Sequence, residues 1–181
     1  MIVDFYPLII YNIGIRMKEG LSIMTLNEKR TKKYPDTDTF HYHNANHRGK
    51  ITTDCVIRAI SVALNQSWED TLREMTEMAI KTGYMLNENK CIDKYMQRKG
   101  WIKCKQPKKA DGTKYTGKEF CRALMHPSYS EKLNLTYKPF NVNRVLVNIG
   151  GHHTVAIVEG RVWDTWNSTD GSIGIVWVKP C

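Results

Sequence analysis

The stretch Val145-Leu146-Val147-Asn148-Ile149-Gly150-Gly151-His152-His153-Thr154-Val155-Ala156-Ile157-Val158-Glu159-Gly160-Arg161-Val162-Trp163-Asp164-Thr165-Trp166-Asn167 decides the fold of this chain. Val145 to Ile149, Thr154 to Val158 and Val162 to Trp166 are rich in β-branched and aromatic residues. Gly150-Gly151 and Glu159-Gly160 separate them, which predicts antiparallel strands joined by tight turns. Thr169-Asp170-Gly171 turns the chain again, and Ile173 to Val178 completes a predicted four-stranded antiparallel meander.

Upstream the apolar period changes. Val56, Ala59, Ile60 and Ala63 recur at helical spacing, which predicts a helix from Cys55 to about Leu64, capped by Asp54 and broken at Asn65-Gln66. Ser67 with Asp70 opens a second helix, with Trp68, Leu72, Met75 and Ala79 as its stripe and Gly83 as its end. A third runs from Lys90 to Lys99, turning Cys91, Ile92, Tyr95 and Met96 inward, with Gly100 as its stop. Trp101 to Lys105 reads as a short strand. Lys108 to Thr116 reads as a basic loop with an Asp111-Gly112 turn. Thr116 and Glu119 then cap a short helix carrying Phe120, Ala123 and Leu124. Residues 25 to 53 are polar and read as an irregular arm. Helices precede strands, so the expected class is α+β, with a helical part packed on a sheet.

The 181 residues favour one domain, and a hydrophobic content of 41% with five tryptophans can supply its core. Residues 1–24 read as a non-native or disordered extension of residues 25–181. Ile2 to Ile15 is apolar but carries Asp4 and lacks a basic start, so it is a poor signal peptide. Lys18-Glu19-Gly20 is what a translated purine-rich ribosome-binding site would give, and Met24 follows as the expected start. No apolar run approaches the roughly twenty residues needed to cross a membrane. The five cysteines, Cys55, Cys91, Cys104, Cys121 and Cys181, are odd in number and form no CxxC pair, which argues against a disulfide framework. A reducing cytoplasm, the host's if the source is viral, is the expected location. The formal charge of +9 is first of all a device of solubility, and it also suits an acidic partner or substrate.

Cysteine at a helix start has its thiolate favoured by the helix dipole, and the free N–H groups there can hold an oxyanion. Cys55 occupies that place. With Glu159-Gly160 as the turn, Val155 pairs with Asp164, so His153 lies on the same face as Asp164. The carboxylate can then accept the Nδ1–H of His153 and leave Nε2 for the thiol. The same arithmetic puts His152 opposite Asn167 on the other face. Cys55, His153 and Asp164 are the preferred nucleophile, base and orienting group, because a carboxylate stabilises imidazolium better than an amide does. His152 and Asn167 are the alternates. Trp163 and Trp166 read as core or groove wall, and the remaining cysteines as structural.

The order of cysteine at a helix start, histidine on a strand and Asp or Asn on the next resembles the papain-like fold. His153 through Asp164 is similar to the bacteriocin-processing double-glycine peptidases. Gly160 to Trp163 with Asn167-Ser168 resembles the histidine-to-asparagine stretch of Josephin deubiquitinases. Asp54-Cys55-Val56-Ile57-Arg58-Ala59-Ile60, followed by Ser67-Trp68-Glu69-Asp70, looks like papain-like proteins of phages and low-GC bacteria. The resemblance covers Thr52 to Trp166, with a weakly matched middle. It implies a cysteine peptidase or amidohydrolase that needs no cofactor or metal and acts on a protein or peptide. One departure stands out. Such peptidases usually carry a glutamine shortly before the cysteine as second oxyanion donor, whereas here Gly49 holds that position and no glutamine lies between residues 25 and 55. Asn44, Asn46 and Thr52 are the candidate substitutes beside the Cys55 backbone.

Three other readings compete. Acyl transfer to an amine uses the same triad. His41, His43, His47 and Cys55 could surround zinc, although their spacing matches no strong pattern. Lys29 to Lys33 and Lys103 to Lys109, with Tyr34 or Trp101 nearby, could make a non-catalytic module that contacts nucleic acid or an acidic protein.

Overall fold

The computed structural model describes residues 24–126, 135 and 139–181. The expected extension before Met24 lies outside the described residues. Helix α1 (Leu26–Lys33) and strand β1 (Phe40–Tyr42) come first. Helices α2 (Cys55–Leu64), α3 (Trp68–Thr82) and α4 (Asn89–Arg98) follow, then strand β2 (Ile102–Cys104) and helix α5 (Gly117–Met125). Strands β3 (Phe140–Ile149), β4 (His153–Val158), β5 (Arg161–Asp164) and β6 (Ile173–Pro180) complete a mixed α+β architecture.

The six strands form one sheet in the order β1-β5-β4-β3-β6-β2. The β4–β5 hairpin has the register predicted from its turn, with Ala156 opposite Trp163 and Ile157 opposite Val162. Glu159 and Gly160 carry the positive φ values, 49° and 71°, that such a tight turn requires. The expected meander is corrected, because β6 pairs with β3 and not with β5. The outer edge of β5 is already taken by β1, which runs parallel to it. The chain therefore crosses the end of the sheet. It is pinned on the way by the N–H groups of Gly117 and Lys118, donated to the carbonyls of Gly171 and Thr169 at 2.9 and 3.0 Å. Alternation within a strand says which residues share a face but not which edge a neighbour will choose.

The irregular arm expected at 25–53 is also corrected, since it contains α1 and β1. Thr25 and Glu28 form a reciprocal capping box at the start of α1. The T-x-x-E signal is present in the sequence, but few apolar residues follow it. Strand β1 has three residues and exists through pairing with a partner some 120 positions away (Phe40 with Val162), which no local pattern reveals.

Alternate strand residues feed two cores. Val145, Val147, Val155, Ile157 and Val162 join Phe120 and Leu124 of α5 on one face. Leu146, Ala156, Val158 and Trp177 join α2, α3 and α4 on the other. Helix α2 lies directly against this second face, with Ile60 completely buried. Burial of a side chain of that size contributes about 1.5–3 kcal/mol. This packing, more than helix propensity, fixes where the first residue of α2 sits.

The start of α2 differs from its expected capping. Asp54 has φ −101° and ψ 23°, and its side chain makes no cap hydrogen bond. The carboxylate instead pairs with the buried Arg58 guanidinium one turn on and accepts the indole N–H of Trp68 at 3.0 Å. Asn46 donates to the same carboxylate at 3.4 Å. Asp54 thus ties α2, α3 and the preceding loop together and leaves the first N–H groups of α2 without a side-chain cap.

Candidate active site

Three elements meet at the end of the sheet: the N-terminus of α2, the first residue of β4 and the last residue of β5. They carry Cys55, His153 and Asp164 respectively. His153 stands at the strand end, beyond the Gly150-Gly151 turn, so its ring reaches the start of α2. Asp164 is 5% exposed and accepts from His153 Nε2 at 2.5 Å. Its other oxygen accepts the backbone N–H of Thr165 at 2.7 Å, and the Ser168 hydroxyl lies 3.5 Å from Oδ2. The Asp164 carbonyl takes the N–H of His43 at 2.9 Å, which anchors the end of β5 to the segment after β1.

The ring is turned relative to the sequence expectation. Nε2, not Nδ1, meets the carboxylate of Asp164 on the neighbouring strand. Nδ1, close to the backbone of β4, is left for the thiol. The His153 ring and the backbone N–H of Thr154 are the groups that act on the Cys55 sulfur.

The electrostatics favour a charge-separated pair. Burial pushes the Cys55 thiol up, but the His153 hydrogen bond, the Thr154 N–H, the imidazolium charge and Arg58 together bring it below its ordinary value. Burial also works against charge on His153. Its hydrogen bonds to Asp164 and Cys55, with the charges of both, more than offset this and hold it at about 9. Two buried thiols behave oppositely: burial drives Cys121 up to about 12 and raises Cys91 as well.

The alternates His152 and Asn167 both line a neighbouring cavity, but among the described residues no hydrogen bond joins them. His152 is exposed at the cavity rim. The Asn167 carbonyl oxygen is occupied by the N–H and hydroxyl of Thr169, at 3.1 and 2.6 Å, in a turn. Asn46 is spent on Asp54, and Asn44 donates to Asn27 and the Lys50 carbonyl. Thr52 does line the cavity beside Cys55. The zinc set is scattered: His41 binds Asp36 at 2.6 Å, His47 faces Glu69 at 3.1 Å, and His43 stacks on Trp163. Among the described residues no group of three His, Cys, Asp or Glu side chains could hold a metal ion. Of the basic runs, Lys103 pairs with Asp93 and Lys109 with Glu119, each at 2.7 Å. No helix of the described residues is long and apolar enough to cross a membrane.

A cavity of about 560 Å³ opens beside Cys55 and His153. A second, of about 490 Å³, adjoins it on the other side of His152, His153 and Trp166. Trp166 is 39% exposed and covers the His153 ring at 5.1 Å between centroids, which makes it a groove wall. Trp163 packs under His41 and His43.

One residue escaped the sequence reading. Asn148 on β3 lines the larger cavity with Cys55, is 5% exposed, and donates Nδ2–H to the Thr154 hydroxyl at 3.0 Å. Its amide oxygen is buried without a partner. The Thr154 hydroxyl can donate as well as accept, so turning the amide end for end keeps this bond and leaves an N–H, in place of the oxygen, without a partner. The only sequence-level signal was indirect, the lack of a donor ahead of Cys55.

No protein-family model, curated protein or solved structure matches the chain.

Proposed function

We propose that this chain is a papain-like thiol hydrolase acting on a peptide, isopeptide or amide bond. The observation that carries the reading is the convergence of Cys55, His153 and Asp164, with the thiol lowered and the imidazole raised. The Cys55 thiolate forms a bond to the substrate carbonyl carbon. The resulting oxyanion sits between the Cys55 backbone N–H and the turned Asn148 amide. His153 Nδ1–H passes its proton to the leaving nitrogen as the C–N bond breaks, giving a thioester. Water then attacks, its proton goes to His153, and the C–S bond breaks to release acid and regenerate the thiol–imidazole pair. Asp164 holds the ring and stabilises its charge throughout.

The test is turnover of a mixed peptide library by wild type and by Cys55→Ala, with product masses recorded. Cleavage lost in the variant, with a transient adduct on Cys55, supports the reading. Uncleaved library with wild type, or cleavage that survives in Cys55→Ala, contradicts it.

A further inference from the structure

We infer that the larger cavity is an anion subsite that receives a carboxylate of the substrate, between Arg30 on one wall and the open starts of α2 and α4 on another. For its natural ligand this rests on the hydrolase reading, but the charge preference of the cavity is testable without it.

The charge balance of the lining is the first observation. Arg30, Arg58, His152 and His153 face this space, and among the described residues no Asp or Glu does. Arg30 comes from the last turn of α1, is half-buried, and rests one guanidinium nitrogen 3.5 Å from the Thr165 carbonyl. Arg58 is matched to Asp54 and Arg122 to Asp38, whereas Arg144, like Arg30, donates to a backbone carbonyl. Arg30 has no such pair among the described residues, and its positive charge is therefore available to a ligand.

The second observation is unused hydrogen-bonding capacity inside the wall. Arg58 and Thr165 are more than nine-tenths buried residues of the cavity wall, and within that wall Arg58 Nε and Thr165 Oγ1 have no partner. Both can donate. Unpartnered buried polar groups are costly to keep, and a ligand that accepts from them relieves that cost.

The third is the backbone. Cys55 and Val56 at the start of α2, and Asn87 and Asn89 around the start of α4, reach the same space. Neither helix has a side-chain cap at that end. Each presents free N–H groups and the positive end of its dipole. The Arg30 charge and two helix starts without a side-chain cap, with no Asp or Glu among the lining residues and the nearby Asp54 already paired with Arg58, select a negative group. A peptide offers one as an acidic side chain beside the cleaved bond or as a free C-terminus.

Alkylation separates charge preference from catalysis. Rates of iodoacetate and iodoacetamide would be measured at Cys55 and at the exposed Cys181 of the same protein. The ratio of the two reagents cancels thiolate content and reads only the charge environment. The ratio at Cys55 is expected to exceed that at Cys181 by about tenfold. It should fall most of the way to the Cys181 value in Arg30→Gln and in Asn89→Asp, the latter placing a carboxylate on the rim without touching α1, and persist in Arg30→Lys. Equal ratios at both thiols, or a ratio unmoved by both Arg30→Gln and Asn89→Asp, overturn the subsite. Peptide pairs then assign the source: Glu against Gln beside the bond, and free against amidated C-terminus. Faster cleavage of the Glu member assigns a side chain, and of the free-acid member a terminus. Turnover without preference in either pair overturns the substrate assignment. A retained alkylation ratio with no peptide cleaved leaves the anion subsite standing and defeats the hydrolase reading.

Discussion

Two helix starts in this molecule receive opposite treatment. At α5, Thr116 and Glu119 close a capping box, in which Glu119 N–H donates to Thr116 Oγ1 at 3.3 Å and Thr116 N–H donates to Glu119 at 2.8 Å. At α2, an aspartate stands where a cap should be, yet its carboxylate is drawn off to Arg58, Trp68 and Asn46. The first helix start is closed by its own side chains. The second keeps its N–H groups for something else, and places Cys55 there. Their cysteines differ in the same sense. Cys121, completely buried in α5, is pushed up to about 12, while Cys55 is brought below its ordinary value. A missing cap, taken alone, is a defect costing about 1 kcal/mol. Next to an imidazole held by a buried carboxylate it becomes an oxyanion site.

The comparison can be broken by substitution, starting with the largest effect. Asp164→Asn removes the charge that supports imidazolium. The hydrogen bond that His153 donates to Asp164 raises His153, so its loss lowers the His153 value and the alkaline limb of the rate profile moves down from about 9. The maximal rate should fall by about 10²–10⁴-fold, as it does when a triad carboxylate becomes an amide. Steady-state kinetics across pH 5 to about 10.5 reads both effects. An unshifted limb would remove Asp164 from its role.

Asn148→Ala should lower kcat by about 10²-fold, since one oxyanion donor is worth about 3 kcal/mol. Because the donor acts on the tetrahedral oxygen and not on the thiol, Cys55 alkylation should change little. A parallel loss of alkylation would make Asn148 structural.

Asp54→Ala strands the buried Arg58 charge and should cost about 3–5 kcal/mol in urea unfolding. The ion pair is nine-tenths buried on both sides, so solvent does not shield it. Thr116→Ala opens the closed helix start and should cost only about 1 kcal/mol, with alkylation of Cys55 unchanged. If both substitutions cost the same, the contrast between the two starts loses its basis.

Much of this geometry was legible because it depends on local periodicity. The turn at Glu159-Gly160 sets the β4–β5 register, and that register alone places His153 and Asp164 on one face. The helix from Cys55 to Leu64 follows from four apolar positions. What was not legible depends on competition among distant partners. Asp54 looks like a cap until Arg58, Trp68 and Asn46 claim its carboxylate. The ring of His153 could be oriented only once the distance to Asp164 was known. Strand β6 went to the free edge of β3 because β1 had occupied β5. Asn148 sits in an alternating strand like any other polar residue, and only its unpartnered amide oxygen beside the cavity distinguishes it.

The most direct test is the pH dependence of iodoacetamide alkylation, resolved at each cysteine by mass spectrometry, in wild type and in His153→Ala. The account predicts that Cys55 reacts as a thiolate below the ordinary thiol range, ahead of Cys91, Cys104, Cys121 and Cys181, and that His153→Ala moves its midpoint upward toward the ordinary thiol value of about 8.5. Cys55 titrating at that ordinary value in wild type, unchanged by loss of His153, would contradict it.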